Sequence, residues 1–435
     1  MKNARVTTVA GVMDREGIHE RPLSTMRGHD VIPIDPTKSF QSILGFGAAF
    51  TEAACYVLGQ MPSDQQSWLF GQLFGNKGAK LNMGRLSVGA SDYSRACFSY
   101  DDVVNDTSLE HFSTARDEQW VIPMVRRALE EAPSLFLLAS PWSPPGWMKT
   151  GGSMRGGWMR EEFLDVYAEY LVRYLDAYRT SGIPIQALTV QNEVETDQLG
   201  KMPAAYWHPD LESRFVTQYL VPKLRTMDWR VMIWILDHNY AMWPRVDWML
   251  NDGHLREAID GVAFHGYQGE ASMMTLLRDR HPTIHVYWTE GGPDLGPGYL
   301  TDWCRWGETF TGALRNWARC IVGWNLASDE QGGPNIGPFS CAGMVTVQQE
   351  SHQVSFSGQY WAMRHFSSYV ERGAQRIEST ELEGIANVAF RNPNGDIVLV
   401  VTNSARTGRD LQIQSGDHRV GVRLEPMSMT TMVFD

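Results

Sequence analysis

The chain has 435 residues, of which 43% are hydrophobic and 20% charged, with a formal net charge of −12. That length exceeds one compact domain and predicts a large domain with a small companion. The acidic balance and the lack of a long basic run argue against nucleic acid as a partner.

In chain order, residues 6–12 and 31–34 read as short strands that precede the main alternating pattern. Residues 1–38 are therefore expected to join a sheet built later in the chain. From about Phe40 to Phe366 short apolar runs alternate with helical patterns, the signature of repeated βα units around a parallel sheet. Eight runs qualify as strands: 42–48, 81–88, 135–141, 187–193, 231–237, 261–267, 285–290 and 320–326. Between the third and fourth, Phe163, Val166, Tyr167, Tyr170, Leu171, Tyr174 and Leu175 recur at helical spacing. Eight strands with intervening helices predict a closed (β/α)8 TIM barrel over residues 39–368. Past Tyr369 the period falls to two, with turns such as Asn392-Pro393-Asn394-Gly395. Residues 369–435 are expected to form an antiparallel β-sandwich with the amino-terminal strands.

The five cysteines are scattered, without a Cys-x-x-Cys pair or a zinc-like His spacing, and read as buried hydrophobes in a reducing compartment. No metal or cofactor is implied. The amino terminus lacks the apolar core of a signal peptide and no apolar run is long enough to span a bilayer. As written, the protein is expected to be cytoplasmic, or secreted if a leader has been trimmed away.

Chemistry is expected at two strand ends. Glu193 closes Ala187-Leu-Thr-Val-Gln-Asn-Glu193 and Glu290 closes His285-Val-Tyr-Trp-Thr-Glu290. A carboxylate ending a buried strand is held rigidly at the mouth of such a barrel. Two of them supply what glycosidic hydrolysis needs: a proton for the leaving oxygen and negative charge against an oxocarbenium-like transition state. Mutual repulsion is expected to raise the pKa of Glu193 and keep it protonated. Gly291-Gly292-Pro293 after Glu290 would let a ligand approach the strand end closely.

Further segments carry a resemblance: Gly45-Phe-Gly-Ala-Ala-Phe-Thr-Glu52, Asn82-Met-Gly-Arg85, Ala139-Ser-Pro-Trp142-Ser-Pro-Pro-Gly-Trp147, Asn192-Glu193, His265-Gly-Tyr267, Thr289-Glu290, Gly323-Trp324 and Gly332-Gly-Pro-Asn335. In this order they are similar to glycoside hydrolase family 30, which includes glucosylceramidases, β-glucosidases and endo-β-1,6-glucanases. The resemblance implies a barrel with a sandwich from both termini, Glu193 as acid/base and Glu290 as nucleophile. It further implies that Glu52, Trp142, Asn192, His265, Tyr267, Trp324 and Asn335 bind a β-linked carbohydrate, with Arg85 supporting the nucleophile. Three departures stand out. Val194-Glu195 follows Glu193 where the family stiffens the loop with proline, and Glu195 is a rival carboxylate. Ala48 replaces a second glycine. Gly266 replaces a tryptophan, a loss expected to open or reshape a subsite. The expected activity is that of a retaining, exo-acting β-glucosidase or glucosylceramidase. The alternatives are an endo-β-1,6-glucanase, an enzyme for xylose, fucose or galactose, and a non-catalytic carbohydrate-binding protein.

Overall fold

The structure, a computed structural model, describes residues 4–9, 19–22, 30–416 and 418–434. Eight parallel strands close into a barrel: Gly45–Phe50, Met83–Val88, Phe136–Pro141, Ala187–Thr189, Met232–Asn239, Gly261–His265, Val286–Glu290 and Ala318–Gly323. These are the eight strands expected, hereafter strands one to eight. Their ends shift by up to four residues, and two of the shifts matter here. Strand one starts at Gly45 because residues 42–44 continue the long strand Asp30–Ser42 and the link after it. Strand four ends at Thr189, four residues before Glu193.

Helices on the outside cover the barrel. Leu164–Thr180 follows strand three and buries Tyr167, Tyr170, Leu171, Tyr174, Leu175 and Tyr178, a stripe spaced at three and four residues. Thr51 caps the helix Glu52–Gly59 by accepting from the Ala54 N–H at 3.0 Å, and its hydroxyl donates to Asn325 at 2.9 Å. That pair joins the ends of strands one and eight.

Inside the barrel, Met83, Phe136, Leu138, Ala187, Trp234, Ala263, Tyr287, Cys320 and Val322 form an apolar plug, in which Trp234 stacks on Tyr287 at 3.8 Å. Alternate residues of a strand share a face, so the next inward position lies two residues on. Counting from the plug gives Arg85, Ser140, Thr189, His265 and Thr289, which form a polar layer directly above it. Strand five breaks the rule. A β-bulge between Leu236 and His238, with φ of 72° at Leu236 and 47° at Asp237, turns Asp237 inward three residues after Trp234.

The second domain is one nine-stranded sheet among the described residues. Its order runs His418–Leu424, Arg409–Ser415, Asp30–Ser42, Gln375–Ser379, Ile385–Arg391, Ile397–Asn403, Ser428–Phe434, Ala4–Val9 and His19–Pro22. Ile32, Leu411, Ile413 and Leu424 from one end share a core with Leu399, Val401, Met432 and Phe434 from the other, so the sheet folds over on itself. Register shifts where Gln375–Ser379 meets Asp30–Ser42 mark the fold line. Both termini contribute, as expected. Residues 10–12 of the first expected strand lie outside the described residues, and Gln375–Ser379 is an additional strand. Pairing of Asp30–Ser42 with Arg409–Ser415 is parallel, so the sandwich is mostly rather than wholly antiparallel.

Cys55, Cys304 and Cys320 are buried as expected, whereas Cys97 is exposed and Cys341 half-buried; all five are free thiols. No helix among the described residues is long and apolar enough to cross a membrane.

Candidate functional site

Asp237, on the strand-five bulge, is the hub of the polar layer. Its Oδ2 accepts from Arg85 at 2.7 Å, Ser140 at 2.6 Å and Thr189 at 2.9 Å. Its Oδ1 accepts from Thr289 at 2.7 Å and His265 Nε2 at 3.1 Å. Burial opposes its charge, but Arg85, His265 and Ser140 together hold the carboxyl well below the usual range. Burial likewise opposes the charge of Arg85, and Asp237 and Glu290 more than restore it.

Arg85 reaches both candidate carboxylate regions. Its Nη1 donates to Glu290 Oε2, and its Nη2 donates to Asn192 Oδ1 at 2.8 Å. Tyr267, 43% exposed at the rim, donates its hydroxyl to Glu290 Oε1 at 3.0 Å. Burial of its hydroxyl end and the charge of Glu290 push that phenol well above its ordinary value, so it remains a donor.

Glu193 lies in a turn beyond strand four at a φ of 55°, not on the strand. Two backbone bonds fix this turn: Asn192 N–H to Pro141 at 2.7 Å, and Glu193 N–H to Asp237 at 2.9 Å. Around the carboxylate stand His265 Nδ1 at 3.5 Å, His238 Nδ1 at 3.6 Å and Gln198, which donates at 2.7 Å. The expectation that Glu290 keeps Glu193 protonated is not met. Burial pushes its pKa up, but the contact with His265, the charge of His238 and the bond from Gln198 outweigh burial and lower it. The raised group is His265: burial opposes its charge, yet Glu290, Asp237 and Glu193 lift it to about 9.

Both glutamates thus flank one imidazole, since His265 Nε2 also lies 3.9 Å from Glu290 Oε2. Trp142 and Trp324 stack at 5.1 Å, and the Arg85 guanidinium sits 4.7 Å from the Trp142 ring centre. The structure therefore brings together Glu193, Glu290, Asn192, Arg85, His265, Tyr267, Trp142 and Trp324. Two expected residues are engaged elsewhere. Glu52 accepts from Arg116 at 3.0 Å and from the Arg95 N–H at 2.7 Å, one partner on each oxygen. Asn335 donates to the Phe339 carbonyl and accepts from the Gly337 N–H at 2.6 Å, bracing its own loop.

The rival Glu195 turns away and accepts from Arg245 at 2.9 Å. Arg245 also donates to Glu212 at 2.7 Å, and Glu212 accepts the Leu236 N–H of the bulge at 3.1 Å. Glu195 therefore belongs to the bracing of strand five. Ala48 is accommodated in the core outside the barrel. At Gly266, a Cβ would lie 2.6 Å from Cζ2 of the buried Trp288, so this backbone has no room for a side chain in that direction. Replacing Gly266 by alanine is expected to cost about 1–3 kcal/mol by overpacking, read as a lower denaturation midpoint.

Two residues were missed. Asp237 ends an apolar run, Val231-Met-Ile-Trp-Ile-Leu-Asp237, by the same criterion that picked out the glutamates. Asp92 lies in a loop without periodic signal. It is buried, one carboxylate oxygen has no hydrogen-bond partner, and burial together with the charges of Glu290 and Glu193 raises its pKa to about 8.

The long loops after strands three and four form a single wall. Lys149 donates to the carbonyls of Met154 at 2.8 Å and of Gly156 and Ala204 at 2.6 Å. Burial brings its pKa down to about 7. Trp158, about half exposed, stacks on Tyr206 at 4.7 Å on this wall.

Comparison with known proteins agrees with this architecture. Residues 43–370 match the TIM-barrel domain of glycosyl hydrolase family 30, and residues 373–432 match that family's beta sandwich domain. The chain is 32% identical to putative glucosylceramidase 1 of Caenorhabditis elegans over 396 residues, covering 85% of this chain and 75% of that protein. It is 31% identical over 397 residues to the endo-1,6-beta-D-glucanase of Neurospora crassa, covering 86% and 81%. Its structure superposes on SrfJ from Salmonella typhimurium with a TM-score of 0.93, 27% identity and 99% coverage of both chains. With both domains matched in order, the chain belongs to glycosyl hydrolase family 30 and is a glycoside hydrolase.

Proposed function

We propose that the protein is a retaining β-glucoside hydrolase in which Glu290 attacks the anomeric carbon and Glu193 serves as acid and then base. The observation that carries this reading is the convergence of both carboxylates on His265, with Arg85 bonded to Glu290 and to Asn192 beside Glu193. Arg85 and Tyr267 orient Glu290 for attack. The sugar–enzyme bond forms as the bond to the leaving oxygen breaks, and the proton held by His265 and Glu193 passes through Glu193 to that oxygen. Glu193, now ionised, takes a proton from water, which attacks the same carbon and frees Glu290. Arg85 fixes Asn192 through its oxygen, leaving the NH2 end for the sugar 2-hydroxyl, and the free oxygen of Asp92 suits an outer hydroxyl.

His265 and Glu193 together hold the proton for the first step. Because His265 is raised to about 9, this proton is kept through neutral pH and lost as pH climbs through that value. The kcat/KM profile is expected to fall on the alkaline side near pH 9, and His265→Asn to shift that limb to lower pH. The stability share of charged His265 is whole below about pH 6.5 and fades as pH rises through 9. An alkaline limb untouched by His265→Asn would remove the imidazole from the proton path.

For substrate, we favour an exo-acting β-glucosidase or glucosylceramidase type, supported by the glucosylceramidase relatives. A second reading, endo-β-1,6-glucanase, is favoured by the exposed Trp158–Tyr206 pair on the wall that supplies Gln198 to Glu193, since stacked aromatics suit a polymer beyond the reacting sugar. Following the anomer first released from an aryl β-glucoside by proton NMR tests retention: β supports it and α overturns it. Glucose alone from β-1,6-glucan means exo action, and oligomers mean endo.

A further inference from the structure

Beside Glu193, two buried imidazole nitrogens have no hydrogen-bond partner: Nδ1 of His238 and Nδ1 of His265, whose side chains are 9% and 0% exposed. We propose that Glu193, His238 and His265 form a site for a zinc-class divalent cation whose occupancy switches the enzyme off. The inhibitory half rests on Glu193 being the acid/base; the binding half does not.

One ligand atom from each of the three residues lies within 4.8 Å of the others. Ligand atoms bound tetrahedrally to zinc at about 2.0–2.1 Å sit roughly 3.3–3.4 Å apart. The Glu193 contacts of 3.5 and 3.6 Å are within a few tenths of that edge, and too long for good hydrogen bonds. His265 also donates its Nε2–H to Asp237, the carboxylate–imidazole arrangement that orients metal-binding histidines and strengthens their donation. Two imidazoles with one carboxylate suit zinc, whereas magnesium and calcium prefer oxygen shells. Three protein ligands leave a fourth position for water. His238 follows Asp237 directly, so the bulge that builds the polar layer also sets this ligand in place.

The cation would take the place of the proton between His265 and Glu193. With Glu193 Oε1 coordinated and the imidazole proton displaced to solvent, no acid remains for the leaving oxygen. Zinc and turnover are then mutually exclusive.

Zinc chloride titrated calorimetrically into the full chain tests this, alongside Glu193→Gln, His238→Asn and His281→Asn. The last removes a different His–carboxylate contact, His281 with Asp247 at 2.9 Å. The expected result is one equivalent bound by the unaltered protein and by His281→Asn. Affinity should fall at least about 100-fold in the other two variants, as judged against the 10–100-fold cost of losing even an outer-shell partner. Thermal melts show that each variant is folded, and Glu193→Gln keeps the side-chain size. Aryl β-glucoside hydrolysis by the unaltered protein should fall as the site fills and return with EDTA, while magnesium does nothing. Binding that is absent, or that survives both substitutions, overturns the site. Zinc held by these residues with undiminished hydrolysis overturns the switch. Zinc bound there by a protein that hydrolyses no glycoside leaves the site standing and defeats the functional reading instead.

Discussion

Replacing Glu290 by glutamine is expected to lower kcat on an aryl β-glucoside by about 10⁵- to 10⁶-fold, the scale on which a covalent nucleophile acts. That corresponds to roughly 7–8 kcal/mol of transition-state stabilisation. The amide keeps the volume and can still accept from Tyr267, and Arg85 keeps Asp237 and Asn192 as partners, so the fold should survive. What disappears is the atom that bonds to the anomeric carbon. A fluoro-sugar that traps the intermediate should label the unaltered protein at Glu290 and leave the variant unlabelled, as read by peptide mass. Turnover within tenfold of the original would place the nucleophile elsewhere.

Glu193→Ala is expected to cost about 10²- to 10⁴-fold, with the loss shrinking as the leaving group improves. A good leaving group needs no proton to depart, so the first step survives and the second stalls for want of a base. Azide, which needs no base, should enter the emptied space and restore turnover as the β-glycosyl azide. Glu195→Ala provides the contrast. It cuts the tie to Arg245 and loosens strand five, so a modest loss without azide rescue is expected. Azide rescue of Glu195→Ala instead of Glu193→Ala would exchange the two assignments.

The barrel was legible because each buried strand is a short apolar run bounded by helical patterns. The start of strand one was misread because Ile43 and Leu44 carry the apolar character of the preceding strand into the barrel. Glu193 was found through a run that extends beyond the strand itself; hydrogen bonds to strands three and five place it, and no sequence period encodes them. The fate of Glu195 depended on Arg245, 50 residues away. The absence of an indole at Gly266 was legible, whereas the crowding of its backbone by Trp288, 22 residues on, was not. The pKa order was missed because two histidines on neighbouring strands act on Glu193 more strongly than the other glutamate does.

The single extra residue in strand five has a consequence for how this protein can change. Strict alternation after Trp234 would point Leu236 into the polar layer and send Asp237 outward, stranding Arg85 without its central counter-ion. Deleting or inserting one residue there therefore turns Asp237 out of the layer and leaves its five partners without it at once, and no single side-chain replacement can repair it. The loops beyond the strand ends carry no such constraint. Variation in the sugars accepted is accordingly free to accumulate in the loops, while the count of residues along strand five must stay fixed.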